Sequence, residues 1–227
     1  ESRIVGGTNA DINEFPWQAS LQTTSGFHFC GASLISQQWL VTAAHCVDGD
    51  SLLEILHSIV HIGRKYQVML EYLAINLQHP NYGSGAGAYP NDIALLRLSS
   101  SVSTSSNSIG IISLASGNGD YAGQTCTITG WGRTSTGSPN TLQKVDMKVM
   151  TNSACKNTWG SNIISSHVCI ENSGASACSG DSGGPLVCGG TLVGATSWGH
   201  YQCDTRYPSV YTRISSFRDW IRTETGI

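Results

Sequence analysis

Hydrophobic residues occur along this chain in short runs. The runs are rich in Val, Ile, Leu and Thr, and they include GASLI, QWLVTA, DIALLRL, CTITGW, LQKVDMKVM and GTLVGATSW. Clusters of Gly, Ser, Pro and Asn separate them at intervals that are typical of β-barrels and β-sandwiches. The pattern therefore predicts an all-β protein.

Helical periodicity is scarce, and its best instance is the C-terminal segment SSFRDWIRTETG. Phe217, Trp220 and Ile221 lie on one helical face by their i, i+3, i+4 spacing. A serine can cap the start of this helix and Gly226 can end it. A second short helix is predicted over TNSACKNTW.

Length and charge limit the possible classes of protein. The 227 residues contain no repeat, so we expect one compact domain or two small halves that share an interface. No uncharged stretch approaches the roughly 20 apolar residues of a membrane span. The net charge is -3, and charged residues make up 12% of the chain, against about 25% in an average protein. Without a basic patch, neither nucleic acid nor a membrane is expected as a partner.

The eight cysteines are scattered along the chain, without the CxxC pairs of a zinc site. An even number in this arrangement predicts disulfides, an oxidising compartment and a secreted, extracellular protein. Spacing alone allows about 105 pairings of eight cysteines, so it does not select one.

Three segments carry candidate catalytic chemistry. TAAHC ends a predicted strand with His45, NDIALL opens another with Asp92, and ACSGDSGGP presents Ser182 in a glycine-rich turn. A serine hydroxyl becomes a good nucleophile when a base takes its proton, and histidine serves as that base near neutral pH. An aspartate then orients the imidazole. The N–H groups of Gly180 and Ser182 can converge to form an oxyanion hole.

Together these segments resemble the trypsin-chymotrypsin family of serine endopeptidases. The resemblance extends from IVGG through FCGASLI, TGWGRT, TSWG and YPSVYTR to DWI near the end. It implies two packed six-stranded antiparallel β-barrels with a C-terminal α-helix. Residues 1–3 would be an activation-peptide remnant, 4–112 the N-terminal barrel, and 113–227 the C-terminal barrel with the helix. The rival hypothesis is a binding protein that keeps this fold but has lost catalysis.

The resemblance also selects one pairing of the cysteines. It implies disulfides between Cys30 and Cys46, Cys126 and Cys188, Cys155 and Cys169, and Cys178 and Cys203.

The opening residues ESRIVGG bear on activation. In relatives, the amino terminus released by cleavage pairs with the acid before the serine, which here is Asp181. Before cleavage at Arg3–Ile4 the nitrogen of Ile4 is an uncharged amide, and burying Asp181 without a partner is costly. We therefore expect the intact chain to be a zymogen in which Asp181 turns elsewhere and Gly180 is misaimed. The alternative is that ESR is a remnant, or that the chain is already cut before Ile4.

The residues that resemble the family's specificity pocket predict the substrate. Ser176 stands where the trypsin branch has aspartate, and Ser209 should shorten a pocket whose mouth Gly199 leaves open. This resembles elastases that prefer Leu, Met, Phe or Tyr, although Asp204 keeps a trypsin-like alternative open. The complete set of predicted substrate-binding residues is Ser176, Ala177, Ser179, Ser197, Trp198, Gly199 and Ser209. A pocket of this kind does not favour cutting after Arg3, so activation should need a second, trypsin-like protease.

No metal or other cofactor is expected. His57 and His61 are four residues apart, but their context predicts a strand and lacks the acid of an HExxH site. Arg64 and Lys65, before Tyr66, stand where some relatives carry a calcium loop, without its acids. The expected partners are protein or peptide substrates, the activating protease and protein protease inhibitors, and the protein is expected to be a monomer.

Overall fold

The computed structural model describes residues 4–49, 59–62, 71–105, 109–134, 137–171 and 174–227, with the side chains of 59–62 and 71–74 excepted. Outside this description lie several residues that carry predictions, namely Arg3, His57, the side chain of His61, Arg64, Lys65 and Tyr66. The expectations of activation-site cleavage and of no metal site at these residues stay predictions.

The secondary structure is mostly β, as the short apolar runs predict. In chain order the strands are β1 Thr8–Asn9, β2 Gln18–Gln22, β3 His28–Leu34, β4 Trp39–Thr42, β5 Ile59–Ile62, β6 Glu71–Gln78, β7 Ala94–Leu98, β8 Ser113–Leu114, β9 Thr125–Gly130, β10 Gln143–Met150, β11 His167–Ile170, β12 Pro185–Cys188, β13 Thr191–Trp198 and β14 Val210–Arg213. The α-helices are α1 Asn152–Trp159 and α2 Arg218–Thr225. Short 3-10 turns lie at Ile12–Glu14, Ala44–Cys46, Gly160–Asn162 and Ile214–Phe217.

The first half of the chain forms a closed antiparallel barrel in the order β2-β3-β4-β7-β6-β5. Alternation along β2 directs Ala19 and Leu21 into the barrel core, and Gln18 and Ser20 to the other face. All four are fully buried, because the second half of the molecule covers that other face. Thr129 of β9 donates a 2.6 Å hydrogen bond to Gln18 Oε1 across this boundary.

The second half closes into another ring of six strands. Its pairings run β9-β10-β11-β14-β13-β12 and return from β12 to β9, and all of them are antiparallel. Strand β8 adds to β13, and β1 adds to β10, so the first strand of the chain belongs to the second sheet. The expectation of two six-stranded barrels with a C-terminal helix is confirmed. The exact division between residues 112 and 113 stays a prediction.

Both predicted helices are present. In α1, the Thr151 side chain accepts a hydrogen bond from Ala154 N–H and caps the start. In α2, Gly226 ends the helix at φ +79°, as expected. The prediction of a serine cap for α2 is wrong, because a 3-10 turn leads directly into the helix and the residue at its start, Phe217, makes no side-chain cap. Among the described residues, no helix has the length and apolar character needed to cross a membrane.

Four disulfides link the described cysteines. The pairs are Cys30–Cys46, Cys126–Cys188, Cys155–Cys169 and Cys178–Cys203, which are those that the family resemblance implies. The first joins β3 to the turn that follows β4. The last joins the segment before Ser182 to the loop after β13. Both therefore cross-link loops around the cleft between the barrels.

The barrels meet through backbone contacts that leave no room for side chains. Gly31 N–H in β3 donates a 2.7 Å hydrogen bond to Ser182 O, and Gly31 O accepts one of 2.8 Å from Thr42 Oγ1. Gly183 has φ +74°, and a Cβ atom there would lie 2.1 Å from Thr42 Oγ1. Glycine at position 183 is therefore required both by its backbone conformation and by the approach of the first barrel.

We predict that Gly183→Ala destabilises the protein more than Gly190→Ala does. Gly190 has a similar φ of +77°, but a Cβ atom there would meet nothing within 4 Å. The control therefore reports only the cost of the left-handed conformation, about 1–2 kcal/mol, whereas Gly183→Ala adds an overpacking cost of about 1–3 kcal/mol. Urea unfolding of both variants measures the difference, and equal losses would contradict the close approach of the barrels.

Candidate active site

His45 and Asp92 come from the first barrel and form a tightly bonded pair. His45 lies in the 3-10 turn after β4, which the Cys30–Cys46 disulfide holds to β3. Its backbone N–H bonds to Asp92 Oδ1 at 2.9 Å, and its ring Nδ1 lies 2.8 Å from Oδ2. Because an ionised carboxylate only accepts hydrogen bonds, Nδ1 must carry a proton, and Nε2 is left free to accept one.

Asp92 is fully buried, and the second barrel helps to satisfy its carboxylate. Ser197 Oγ of β13 donates a 2.5 Å hydrogen bond to Asp92 Oδ2. Thr212 Oγ1 of β14 donates to the backbone oxygen of Asp92 at 2.7 Å. A buried charge is tolerated when it is paired and hydrogen-bonded, and these contacts also fix its orientation. The orientation of His45 therefore depends on both barrels.

Ser182 belongs to the second barrel and faces the same cavity as His45. Its turn is held by bonds from Gly31 N–H to Ser182 O and from Gly183 N–H to Thr196 O, at 2.7 and 2.8 Å. In this way the structure brings the three predicted catalytic residues together from separate parts of the sequence.

The two predicted oxyanion donors lie in the same turn. Gly180 has φ +96°, and its carbonyl oxygen is 2.9 Å from His28 Nε2. No described residue accepts a hydrogen bond from the N–H of Gly180 or of Ser182. Both amides are therefore without an acceptor in the described chain, and the contact with His28 holds the next peptide group, between Gly180 and Asp181.

Asp181 is buried beneath this turn, and its carboxylate accepts two backbone hydrogen bonds. Gly132 N–H bonds to Oδ1 at 2.8 Å, and Cys178 N–H bonds to Oδ2 at 2.9 Å. Burial raises the pKa of Asp181 to about 6, although both of these hydrogen bonds act to lower it. In the described part of the chain, no cationic side chain pairs with this carboxylate.

The chain next to the expected activation site is inserted into the second barrel. The Ile4 side chain is 1% exposed within its core, and Ser176 N–H donates a 3.0 Å hydrogen bond to Val5 O. The carboxylate of Asp181 is held by the amides of Gly132 and Cys178. The expectation that Asp181 turns elsewhere before cleavage and leaves Gly180 misaimed stays a prediction, because residues 1–3 lie outside the described chain.

A cavity of about 310 Å³ opens beside His45 and Ser182. Five of the predicted substrate-binding residues line it, namely Ala177, Ser179, Ser197, Trp198 and Gly199. The other two, Ser176 and Ser209, lie buried behind Ala177, with their hydroxyl oxygens 3.2 Å apart. Ser176 Oγ donates to Ala177 O, and Ser209 Oγ accepts from Ala177 N–H, at 2.8 and 3.3 Å. The pair of side chains that bonds to Ala177 is therefore polar and carries no charge.

The sequence and the fold both match known proteases. The model of the family described as Trypsin matches residues 4–221. The chain belongs to the trypsin family. It is a serine endopeptidase of the trypsin-chymotrypsin type, and the binding-protein alternative is not favoured.

Similar proteins include both chymotrypsin-like and trypsin enzymes. A chymotrypsin-like serine proteinase of Haliotis rufescens is 45% identical over 97% of this chain and 91% of its own length. The fibrinolytic enzyme isozyme C of Lumbricus rubellus is 41% identical, with 96% and 98% covered. Trypsin alpha of Drosophila melanogaster is 42% identical, with 97% and 87% covered. The structure of neuropsin, a serine protease of mouse brain, matches with a TM-score of 0.85 at 33% identity, covering 96% of this chain and 98% of neuropsin.

Asp204 faces a cation of its own loop. Arg206 donates to both of its carboxylate oxygens through Nε, each at 3.0 Å, and through Nη2 at 2.5 Å. These hydrogen bonds lower the pKa of Asp204 to about 2. Asp204 is absent from the lining of the catalytic cavity. Its charge is therefore compensated outside the site where this serine endopeptidase would bind a substrate side chain.

Tyr89 is a site residue that the sequence motifs did not reveal. Its ring meets His45 edge to face, with 6.0 Å between centroids, and it lines the cavity. Its φ of +47° is unusual for a tyrosine and points to a local constraint. The sequence feature that could have indicated this role is the position of Tyr89, three residues before Asp92. Thr196, His200 and Tyr201 also line the cavity without having been predicted.

Three cysteine and histidine side chains lie close enough to suggest a metal site. The sulfur atoms of Cys30 and Cys46 and a ring nitrogen of His45 are within 4.8 Å of one another. The two sulfur atoms form a disulfide and offer no thiolate ligand. This group therefore stabilises the turn that carries His45 and is not suited to hold a metal.

Trp198 packs against two aromatic rings, of which one is buried. It meets Trp159 and His167 edge to face, with 5.2 and 5.9 Å between centroids. His167 is only 1% exposed, and burial lowers its pKa to about 4. The cavity wall therefore rests on a histidine that the folded protein keeps neutral.

We predict that His167→Gln makes the stability of the protein less sensitive to acid. The pKa of His167 is lower in the folded chain than in the unfolded chain. Above pH 6.5 the ring is neutral in both states, so it does not reduce the free energy of unfolding. Below pH 6.5 the unfolded chain takes up a proton first, and the free energy of unfolding falls. By pH 4 this group alone costs about 3 kcal/mol. Urea unfolding at pH 7 and pH 4, with Ser182→Ala also present to stop self-digestion, compares the two proteins. If the free energy of unfolding fell equally from pH 7 to pH 4 with and without His167, the burial of a neutral ring would be contradicted.

Proposed function

We propose that this protein cleaves peptide bonds through a His45-Asp92-Ser182 triad and a covalent acyl-enzyme. Ser182 Oγ attacks the scissile carbonyl carbon while His45 Nε2 takes its proton. The carbonyl oxygen becomes an oxyanion that Gly180 and Ser182 N–H groups stabilise. His45 then gives the proton to the leaving amine. Water attacks the acyl-enzyme in the same way, with His45 as the base, and the carboxylic acid product leaves Ser182. The bond from His45 Nδ1 to Asp92 carries this proposal, because it leaves Nε2 as the base.

The proposed substrates carry a medium to large apolar residue, Leu, Met, Phe or Tyr, before the scissile bond. The support is the uncharged pair Ser176 and Ser209, whose hydroxyl groups bond to each other and to Ala177 of the cavity lining. A buried Lys or Arg side chain would find no carboxylate there, and burying an unpaired charge is costly. The trypsin-like alternative needs Asp204, whose carboxylate is bound to Arg206 instead.

We propose activation by cleavage of the Arg3–Ile4 bond. Asp181 is buried with amide hydrogen bonds as its described partners, so a new ammonium group at Ile4 would supply the missing positive charge. Removing one partner of a buried ion pair typically costs about 3–5 kcal/mol. Cleavage should therefore stabilise the ordered turn around Asp181 by a free energy of this order. An apolar pocket favours activation by a separate, trypsin-like protease.

The remaining parts of the proposal follow from the disulfides and the family. Four disulfides suit an oxidising compartment, so we propose that the protein is secreted and acts as a monomer. Proteins or peptides are its substrates, and protein protease inhibitors are further proposed partners.

Treatment with immobilised trypsin is predicted to switch on hydrolysis of chromogenic peptides that end in Leu or Phe. Rates are measured before and after the beads are removed, with an Arg peptide alongside. The expected result is a large rise for Leu and Phe, little hydrolysis of the Arg peptide, and a new amino terminus at Ile4.

Two variants control this experiment. Arg3→Gln should resist activation because the trypsin site is lost, and Ser182→Ala should be cut at the same bond yet stay inactive. Full activity before treatment would argue against the zymogen, and a faster rate on Arg than on Leu or Phe would argue against the apolar pocket.

Ser209→Gly is predicted to shift the preference from Leu toward Phe. Removing the Cβ and the hydroxyl lengthens the pocket by about one methylene group, a change typically worth about tenfold or more in kcat/KM between substrates. The measurement is the ratio of kcat/KM for the Phe and Leu peptides. Ser209→Ala, which removes only the hydroxyl, should change the ratio less, and an unchanged ratio in Ser209→Gly would place the end of the pocket elsewhere.

A further inference from the structure

A second cavity, of about 530 Å³, is formed entirely by the second half of the chain. It is larger than the catalytic cavity, and the two have no lining residue in common. Its walls come from the turn after β8, the start of α1, the segment before β11, and the chain that leads from β14 into the next 3-10 turn. Neither the proposed triad nor the proposed substrate pocket uses this cavity.

Arg213, at the end of β14, places a fixed positive charge in the wall of this cavity. Its Nε and Nη1 atoms donate to the carbonyl oxygens of Ser165 and Gly119 at 3.1 and 3.3 Å, and Nη2 donates to His167 O at 2.9 Å. Burial lowers the pKa of Arg213, but an arginine side chain stays protonated in proteins. No described carboxylate forms an ion pair with it. A guanidinium group has five N–H donors, so two remain for a ligand.

Lys156 adds a second positive charge to the lining. It lies four residues after Asn152 in α1, so both side chains face the cavity. Asp120 is the acid among the described lining residues, and its Oδ1 accepts a 3.1 Å hydrogen bond from Ala122 N–H. Within the described part of the chain, neither Lys156 nor Asp120 takes part in an ion pair. The cavity is therefore locally positive, although the net charge of the chain is -3.

The lining also carries neutral groups that can donate and accept hydrogen bonds. These are the side chains of Asn118, Ser165, Ser215 and Ser216, and they make no hydrogen bond with other described residues. The wall around them is cross-linked, because the Asn152 side-chain amide donates to two backbone carbonyl oxygens of the segment before and within β11, at 2.8 and 3.1 Å. A wall that is already fixed loses little freedom when a ligand binds.

The chemistry of the lining limits the class of ligand. Arginine and lysine are the side chains that bind carboxylate and sulfate oxygens. Free hydroxyl and amide groups suit a ligand that has hydroxyl groups of its own. Ile164 is the one large apolar side chain among the described lining residues, so an apolar ligand would bury little area. A volume of about 530 Å³ lies within the roughly 300–1,000 Å³ of small-molecule sites and exceeds the need of a bare ion.

We propose that this cavity binds an anionic saccharide, which is a sugar that bears a carboxylate or sulfate group. Arg213 and Lys156 hold the oxyanion, and the serine hydroxyls and the Asn118 amide bond to the hydroxyl groups of the sugar. Because the catalytic cavity has a separate lining, a bound saccharide leaves Ser182 open to substrate. An acidic polysaccharide would therefore retain the protein without blocking it. The inference goes beyond the proposed function and does not depend on it.

Isothermal titration calorimetry with four probes tests the ligand class. The protein carries Ser182→Ala to stop self-digestion, and the probes are glucuronic acid, N-acetylglucosamine 6-sulfate, unsulfated N-acetylglucosamine and inorganic sulfate. Both anionic sugars should bind at least about tenfold more tightly than either control probe, because each control lacks one of the two sets of contacts. Affinity should fall as NaCl is raised. If the anionic sugars bind no more tightly than the neutral sugar or than inorganic sulfate, the proposal is wrong.

Three charge variants test the position of the site. Lys156→Gln should weaken binding of both anionic sugars by about two- to fivefold, the scale of one exposed ion pair. Asp120→Asn keeps the acceptor for Ala122 N–H but removes the repelling charge, so it should strengthen binding by a similar factor. A gain of this kind cannot arise from misfolding. Lys148→Gln removes an exposed lysine of β10 outside the lining and should change nothing. Equal effects of the two lysine variants, or no gain in Asp120→Asn, would place the ligand elsewhere.

Two further measurements separate the sugar from its charge and this cavity from the catalytic one. The double variant Ser215→Ala, Ser216→Ala should weaken binding of the anionic sugars and leave that of inorganic sulfate unchanged. With active protein, a saturating anionic sugar should leave kcat/KM for a short chromogenic Leu peptide unchanged, whereas competitive inhibition would place the sugar in the catalytic cavity and overturn the proposal. Absence of peptide hydrolysis would count against the proposed function alone, because binding is measured independently with the Ser182→Ala protein.

Discussion

The catalytic site depends on the close backbone contact between the two barrels. The hydrogen bond from Gly31 N–H to Ser182 O places the nucleophile's main chain directly against β3. Around it the barrels approach so closely that a Cβ atom on Gly31 would lie 2.9 Å from the Cα of Gly184. His45 and Ser182 come from different barrels, so their relative position depends on this contact and on the bonds from Ser197 and Thr212 to Asp92. Glycine allows main chain to meet main chain, which removes the flexibility that side chains would introduce.

The two buried acids of the site are stabilised in different ways. Asp92 has a permanent set of donors in His45 and Ser197, from both barrels, so its environment suits a carboxylate as soon as the barrels pack. Asp181 has two backbone amides, and burial still raises its pKa to about 6. A new positive charge nearby would stabilise the ionised form of either acid, but Asp181 has more to gain because its burial is less fully compensated. This difference agrees with the proposed roles, in which Asp181 responds to cleavage and Asp92 orients His45.

Much of the site could be predicted from the sequence because short motifs report local chemistry. His45, Asp92 and Ser182 each stand at the end of an apolar run, and the two barrels follow from the family that these motifs resemble. Other features depend on contacts between distant segments. The hydroxyl contact between Ser176 and Ser209 joins residues 33 positions apart, and no local pattern signals it. Likewise, the place of Ile4 in the second core depends on its packing against residues of that barrel that are distant in the sequence. Predictions for Arg3 stay predictions, since that residue lies outside the described chain.

A neutral cavity has consequences for how substrates are held. A charged pocket can obtain much of its selectivity from one ion pair, but the uncharged pocket proposed here would rely on the apolar area that it buries. The cavity of about 310 Å³ limits how much one side chain can contribute. Under the proposed preference for apolar side chains, discrimination among Leu, Met, Phe and Tyr would therefore come from the shape of the cavity and not from charge.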